Sequence, residues 1–319
     1  MLKYIAKRLI LSVFILLGVS LILFILIQNM PATFAETKIA EISTKGPLDE
    51  ETRKAITEMY DMSYGEWLGR IVTLDFGESF TQQMPVVDVI KRDMFVSFLV
   101  AALATVFEFM IAIPLGITAA KHQYSIRDYL VTVLVMIGIS LPAFFFGKVL
   151  QAVFASGLNW LPLQGLGDAT STTTGFAYLL EYVRYLILPI VTVVVLSIGG
   201  RMRMTRTEML EVLNSDYIRT ARAKGLKERV VTYKHAFRNT MIPLVTSLAG
   251  LLPSLFSGAI ITEQVFDLPG IGNTAYKAMI VGDIPVIMGY NLFLALLSII
   301  GVLMADLMYA VVDPRVKLQ

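Results

Sequence analysis

The chain has 319 residues, 56% of them hydrophobic and 16% charged, and its mean hydropathy of +0.69 is too high for an ordinary soluble domain. The absence of cysteine excludes a disulfide framework, a thiol nucleophile and a thiolate metal site, and two distant histidines, His122 and His235, are a poor start for a histidine site. A net charge of +2 says little until its placement is known, and the composition points to a membrane protein.

In chain order, Lys3, Lys7 and Arg8 precede an uncharged run over residues 9–27, which as a helix is roughly 28 Å long and predicts a first span. A secretory leader is the rival, with Thr33-Phe34-Ala35 as its small-residue cleavage site, but the run is long for one. Residues 28–93 are polar, with twelve acidic against seven basic side chains, and read as an extracellular subdomain. Pro47 and the acids after it predict a helix to about Tyr60. A second helix is predicted with Trp67, Leu68, Ile71 and Val72 on a membrane-facing stripe. Residues 95–120 predict a second span, kinked at Pro114 and carrying Glu108, whose burial in lipid would cost around 3 kcal/mol, so that it must face protein or a watery cavity. A structural partner and a place on a solute pathway both remain open for it.

A short turn over 121–128 leads to a third span predicted at 129–146, where Pro142 frees a backbone carbonyl that protein or water must satisfy. Residues 156–181, with Trp160, Pro162 and the cluster Thr170 to Thr174, read as an external loop. Residues 185–200 predict a fourth span, 241–262 a fifth centred on Pro253, and 286–305 a sixth, with 263–285 external. The segments this places in the cytoplasm hold seventeen Lys and Arg, and the short external loops and outer span ends hold three, which puts both termini inside.

Residues 201–243 carry ten of the 27 Lys and Arg. Leu210, Leu213, Tyr217 and Ala221 recur at helical spacing, Ser215 and Asp216 can start a fresh helix, Gly225 can end it, and 227–233 can resume as a second short helix. Charge alone fits a lipid-facing basic loop as well as a docking element.

The residue order adds to this. Arg219-Thr220-Ala221, three residues, then Gly225 resembles the cytoplasmic signature of ABC importer permeases, a Glu-Ala-Ala triplet followed by Gly, which forms the coupling helices that dock on the ATPases. The flanks TRTEMLEVLNSDYIRTARAKGL and HAFRNTMIPLVT resemble the oligopeptide/dipeptide/nickel branch, in the first of its two paired permeases. Further matches fall in order: residues 74–79 (LDFGES, a plain turn on its own), Ile113-Pro114-Leu115-Gly116, Ser140-Leu141-Pro142-Ala143-Phe144, Glu263, Phe266, Pro269-Gly270-Ile271-Gly272, Asp283-Ile284-Pro285, and Asp306, Tyr309 and Asp313-Pro314-Arg315 at the end. Arg219 stands where the signature has an acid, and Pro243 lies further from Gly225 than the general pattern has it. The first departure leaves open whether Asp216 takes the acidic role.

The resemblance implies an all-α polytopic membrane protein with six transmembrane helices, cytoplasmic coupling helices and a small extracellular helical subdomain. It divides into 1–27, 28–93 and a core over 94–319 whose coupling loop is 201–240. It implies a non-enzymatic translocation subunit in the cell membrane that works with a second permease, two cytoplasmic ATPases and an extracellular solute-binding protein, amid lipid and without nucleic acid. ATP and Mg would belong to the partner ATPases; this chain has no phosphate-binding G-x-x-x-x-G-K-[ST], since Gly147-Lys148 runs on to Val149. Oligopeptides or dipeptides are the expected solutes, with nickel as the alternative. The residues expected to couple to the ATPase are Asp216, Arg219, Thr220, Ala221, Gly225 and Leu226, and those expected along the pathway are Glu108, Ser140, Pro142, Phe144 and Pro253. An ATPase-independent transporter would carry more intramembrane charges or inverted halves, and a membrane-anchored receptor would have less need of proline-broken spans.

Overall fold

A computed structural model describes residues 2–29, 39–40, 50, 54, 57–58, 62–167, 176–249 and 251–312. The expected cleavage triplet Thr33-Phe34-Ala35, most of the helix expected at 47–60, the Thr170 to Thr174 cluster and the terminal Asp313-Pro314-Arg315 lie outside them. Regular structure among the described residues is helical, with one isolated bridge, Glu78 to Pro85.

The first helix, α1 (Leu2–Gln28), presents Leu9, Phe14 and Ile22 outward. It lies along the last helix, α13 (Ile284–Val312), held at one end by Arg8 and Asp306, 3.0 Å apart. At the other end Ile27, Trp67, Ile284, Met288 and Leu292 pack together. Between them comes α2 (Tyr64–Val72), started by a reciprocal cap in which the Ser63 hydroxyl accepts from the Glu66 amide and the Glu66 carboxylate accepts from the Ser63 amide. The hydroxyl of Ser63 also donates to that carboxylate and holds its pKa below the ordinary range. The expected membrane-facing stripe is split: Trp67 is buried beside Phe24 and Ile71 packs with it, while Val72 is 77% exposed. The buried face of α2 packs on α1 and α13.

Helix α3 (Val86–Lys121) runs 36 residues, about 54 Å. It continues past Pro114. It packs against the 38-residue α6 (Phe176–Leu213) so closely that a β-carbon on Gly116 would lie 2.6 Å from Thr205 Cβ and 2.8 Å from the Met202 carbonyl oxygen. As expected, α6 is continuous from the apolar stretch into the basic region.

The third predicted span, a helix over 129–146, needs correcting. Helix α4 (Ile126–Ser140) stops, and α5 (Ala143–Leu150), extended by a wider turn over Gln151–Gly157, leaves at 100° to it. Proline imposes this, because its ring pushes the preceding residue out of the helical region, and Leu141 accordingly sits at φ −82°, ψ 133°. Beyond the bend, buried Gln151 donates its side-chain amide to the carbonyls of Leu163 (2.7 Å) and Val265 (2.9 Å), satisfying groups that lipid cannot.

The expected fifth span over 241–262 is likewise not one helix. After α7 (Asp216–Ala223) and the single turn α8 (Glu228–Val230), the chain forms α9 (Phe237–Ala249) and α10 (Leu252–Ser257). It then breaks at Gly258 and proceeds through α11 (Ile260–Val265) and α12 (Ile271–Val281) to α13. Gly258 has φ +74°, open to glycine and strained for any other residue. Among the described residues four helices are long and apolar enough to cross a membrane, Lys7–Gln28, Val86–Lys121, Leu180–Leu213 and Ile284–Asp306, or five if the bent α4–α5 pair counts as one.

The close approach at Gly116 is open to test. Gly116→Val is expected to lower stability by about 1–3 kcal/mol through overpacking. The reading is the thermal unfolding of the purified chain in detergent, where Gly65→Ala, a site with open space around it, should leave the transition unchanged or slightly raised.

Candidate functional site

The basic turn is built on a buried underside. In α7, Ile218 and Ala221 are buried against Ile117 and Ala120 of α3, Met209 of α6, and Val231 and Ala236 beyond the turn. That choice of face leaves Asp216, Arg219 and Thr220 exposed. Arg219, which stands where the signature has an acid, reaches its own Asp216 at 3.4 Å, and the Thr220 hydroxyl donates to the Asp216 carbonyl oxygen at 3.0 Å. Tyr217, grouped by spacing with Leu210, Leu213 and Ala221, is instead 46% exposed, and its hydroxyl accepts from the Asn239 side-chain amide. The helix breaks at Asn214 and Ser215, the helical phase resets, and Ile218 takes the buried place. Ser215 begins α7 in extended conformation, but its hydroxyl donates to the Val212 carbonyl oxygen (2.6 Å) and so bonds backward, not to the new helix.

Gly225 ends α7 at φ +76°. The Gly225 amide donates to the Arg222 carbonyl oxygen (2.9 Å) and the Leu226 amide to that of Ala221 (3.4 Å), a pairing that caps a helix through one left-handed residue. Nothing lies within 4 Å of where a Gly225 β-carbon would sit, so conformation alone selects glycine there. Leu226 is 39% exposed. Across the turn the Arg222 guanidinium makes two bonds to the Glu228 carboxylate, 2.9 and 3.3 Å. These bonds hold Glu228 below the ordinary glutamate range, with help from Lys121, and raise Arg222. The second short helix expected at 227–233 proves to be the foot of a longer one: α8 passes through a wider turn, Val231–Ala236, directly into α9.

Two buried ion pairs brace this turn from behind. Arg201 donates to Glu108 (3.2 Å) and to the Ser247 hydroxyl (2.8 Å), with its guanidinium 4.4 Å from the centre of the Phe109 ring. Arg206 makes two bonds to Asp128, 3.0 and 2.8 Å, and Asp128 also accepts from the Tyr124 amide. Thus Glu108, 8% exposed, has a structural partner. Ser140, Pro142 and Phe144 sit on the exposed side of the α4–α5 bend, where the Ser140 hydroxyl donates to the Met136 carbonyl oxygen, and Pro253 is half-buried in α10. The pathway candidates therefore fall on different surfaces, with Glu108 buried apart from the exposed three.

At the opposite end of α3 lies a polar cluster that sequence reasoning did not assemble. Asp283, 1% exposed, accepts from the Ser79 hydroxyl (2.6 Å), the Phe80 amide (3.1 Å), and the Thr81 amide and hydroxyl (3.0 and 2.7 Å). Glu263, equally buried, accepts from the Ser97 hydroxyl (2.6 Å) and the Asn273 amide (2.8 Å). Gly258, Gly270 and Gly272 close around that carboxylate; a β-carbon on either of the first two would collide with it, and one on Gly272 would meet Ile260 at 2.9 Å. Asp93 takes Arg92 and the Thr274 hydroxyl. The LDFGES and Asp-Ile-Pro motifs were each legible; their contact across 204 residues was not.

Two outcomes are expected. Asp283→Ala removes the acceptor of the buried Ser79 hydroxyl and Phe80 amide and of the two donors of exposed Thr81, and should lower thermal stability by about 2 kcal/mol. For the turn, Glu228 has a folded pKa below its ordinary 4.5, so its contribution is complete above that value and lost as pH falls through the depressed range. Because both partners are more than a third exposed, the pair is worth about 1 kcal/mol or less. The amide protection factor over residues 222–230, with the intrinsic pH dependence of exchange divided out, should fall on acidification below pH 4.5, and Glu228→Gln should remove that pH response.

Comparison with known proteins bears on the whole chain. Residues 112–318 match the model of the binding-protein-dependent transport system inner membrane component family. The oligopeptide transport system permease protein AppB of Bacillus subtilis is 34% identical over 322 residues, covering 99% of this chain and all of its own. The dipeptide transport system permease protein DppB of Alkalihalophilus pseudofirmus is 35% identical over 332 residues, with 99% and 100% covered. A putative peptide permease protein of Brucella ovis is 35% identical, with 99% of each chain covered. The multi-pass helical architecture, the exposed basic turn and these full-length similarities place the chain in the family of binding-protein-dependent transport system inner membrane components.

Proposed function

We propose that this chain is the translocation subunit of a peptide importer, driven through its basic turn by ATPases on separate chains. The observation that carries the reading is the turn itself: an exposed face running from Asp216 through Arg219 and Thr220 to Leu226, with its underside packed on α3 and α6 and its far limb continuous with α9. Ala221 is the buried member of the signature and Gly225 its stop. A push on such a face moves α9 as a body, since the foot and the helix share one backbone.

The solute is read as an oligopeptide or dipeptide in preference to nickel, supported by relatives whose names specify oligopeptides, dipeptides and peptides. The partners are a second permease, two cytoplasmic ATPases supplying ATP and Mg, and an extracellular solute-binding protein. The topology is six spans in the cell membrane, with α9 and α10 forming the broken fifth and α4 with α5 the bent third. Both termini and the coupling loop 201–240 lie in the cytoplasm and 28–93 outside, supported by the seventeen-to-three bias of basic residues. Residues 1–27, 28–93 and 94–319 remain the natural divisions.

Gly225→Val tests the coupling. In a reconstituted complex it is expected to assemble and to accept the loaded binding protein, yet lose transport and peptide-stimulated hydrolysis by tenfold or more, roughly the 1–2 kcal/mol of forcing a β-branched residue into the left-handed region. Wild-type transport in an intact complex would return the stretch to a lipid-facing loop. Peptide transport without any accompanying hydrolysis would favour an ATPase-independent carrier. Orientation is read separately: cysteine at Glu50 should react with an impermeant thiol reagent in intact cells, and cysteine at Lys227 only after permeabilisation.

A further inference from the structure

A slot of about 500 Å³ lies between α1, α2, α3 and α13. Carbon lines it, from Leu16 and Leu17 of α1, Leu68 and Val72 of α2, Met94 of α3 and Leu296 of α13. The hydroxyl in its wall, Ser20, is already engaged, donating to the Leu17 carbonyl oxygen at 2.9 Å and sharing a 2.8 Å bond with the Tyr64 hydroxyl. An occupant therefore needs no polar group at depth. Lys91 also lines the slot, 67% exposed and 4.0 Å from Asp88, a contact at the outer limit of an ion pair.

Its level is fixed by the helices that form it. The slot is lined by the opening turns of α3, from Val87 to Met94, and by the middle of α1 and α13, whereas the Arg8–Asp306 pair and the buried underside of the basic turn lie toward the opposite ends of those helices. Its Lys91 side thus opens toward the leaflet remote from the basic turn, and its far side reaches the middle of α1 and α13. The medium beside it is bilayer, because α1 turns Phe14 and Ile22 outward at 66% and 61% exposure. Water is a poor filling for carbon walls, and an empty slot forfeits dispersion contacts along its whole lining. At about 30 Å³ per water-sized group the slot holds roughly sixteen, the scale of one acyl chain and too small for a whole lipid.

We propose that this slot is a phospholipid site, taking one acyl chain of an anionic glycerophospholipid from that leaflet with the phosphate on Lys91. The lipid fastens α1 and α2 to α3 and α13, and the site stands whether or not the solute is a peptide.

The test uses the full chain, with the subunits that co-purify, in vesicles of phosphatidylcholine containing phosphatidylglycerol with a photoactivatable acyl chain. Labelling of the peptides holding Leu68, Met94 and Leu296 is expected to saturate and to be competed by unlabelled phosphatidylglycerol, while labelling at Phe14 and Ile22 rises in simple proportion to the probe. Leu296→Trp, which fills the slot, should bring the slot peptides to background and leave Phe14 and Ile22 labelled; Val72→Trp, at an exposed position of the wall, does the same should the first fail to fold. Lys91→Gln should lower the preference for phosphatidylglycerol over an identically tagged phosphatidylcholine about fivefold, the worth of one basic side chain near anionic lipid. Slot labelling that does not saturate, or a cysteine at Leu68 that crosslinks to a neighbouring protein chain in place of lipid, overturns the site. An unchanged preference in Lys91→Gln overturns the anionic headgroup.

Discussion

The contact between α3 and α6 is the constraint on which the rest of the molecule depends. Two helices of 36 and 38 residues can lie this close only because Gly116 has no side chain where Thr205 and Met202 pass, and Gly199 makes the same allowance for Ile139 of α4. Small residues set such approaches in membranes because lipid is as apolar as the side chains and offers no hydrophobic gain for association. Once the helices are fixed, Arg201 meets Glu108 and Arg206 meets Asp128, and through Ser247 and the 121–128 turn these pairs bring α9 and α4 into register. Buried ion pairs are weak evidence for net stability; their effect here is to specify which turn of one helix faces which turn of another. The basic turn inherits its position from that register, since its underside rests on Ile117, Ala120 and Met209 of the same two helices.

A second rigid unit occupies the opposite end. Asp93, Glu263 and Asp283 are nearly inaccessible, which is tolerable only because hydroxyls, amides or a guanidinium meet each carboxylate. The loop following LDFGES folds onto Asp283, and Gly258, Gly270 and Gly272 bring backbone against Glu263 where no side chain could fit. The molecule thus has a tightly satisfied cluster at one end and an exposed turn at the other, joined by the long helix α3.

The broken helices fit the same scheme. The break at Gly258 is covered by protein, where the Glu263 carboxylate accepts from the Asn273 amide, and beyond the α4–α5 bend Gln151 donates to the carbonyls of Leu163 and Val265.

Apolar runs and basic flanks were enough to read the membrane class, the long spans and the position of the basic turn, because burial in lipid constrains composition over every stretch of about twenty residues. Gly225 was legible as a helix stop for the same local reason: its φ of +76° is a property of one residue. What the sequence left open was decided by contacts between distant segments. The partner of Glu108, Arg201, lies 93 residues away in the chain. Tyr217 and Ile218 cannot be told apart by spacing alone, because the break at Asn214 resets the helical phase between them and Leu213. Asp283 and Ser79 meet across 204 residues, and the slot beside Lys91 exists only where four helices converge. Composition and local conformation act within a few turns of chain, whereas register, ion pairing and cavities arise from the packing of helices against one another, which only the tertiary structure decides.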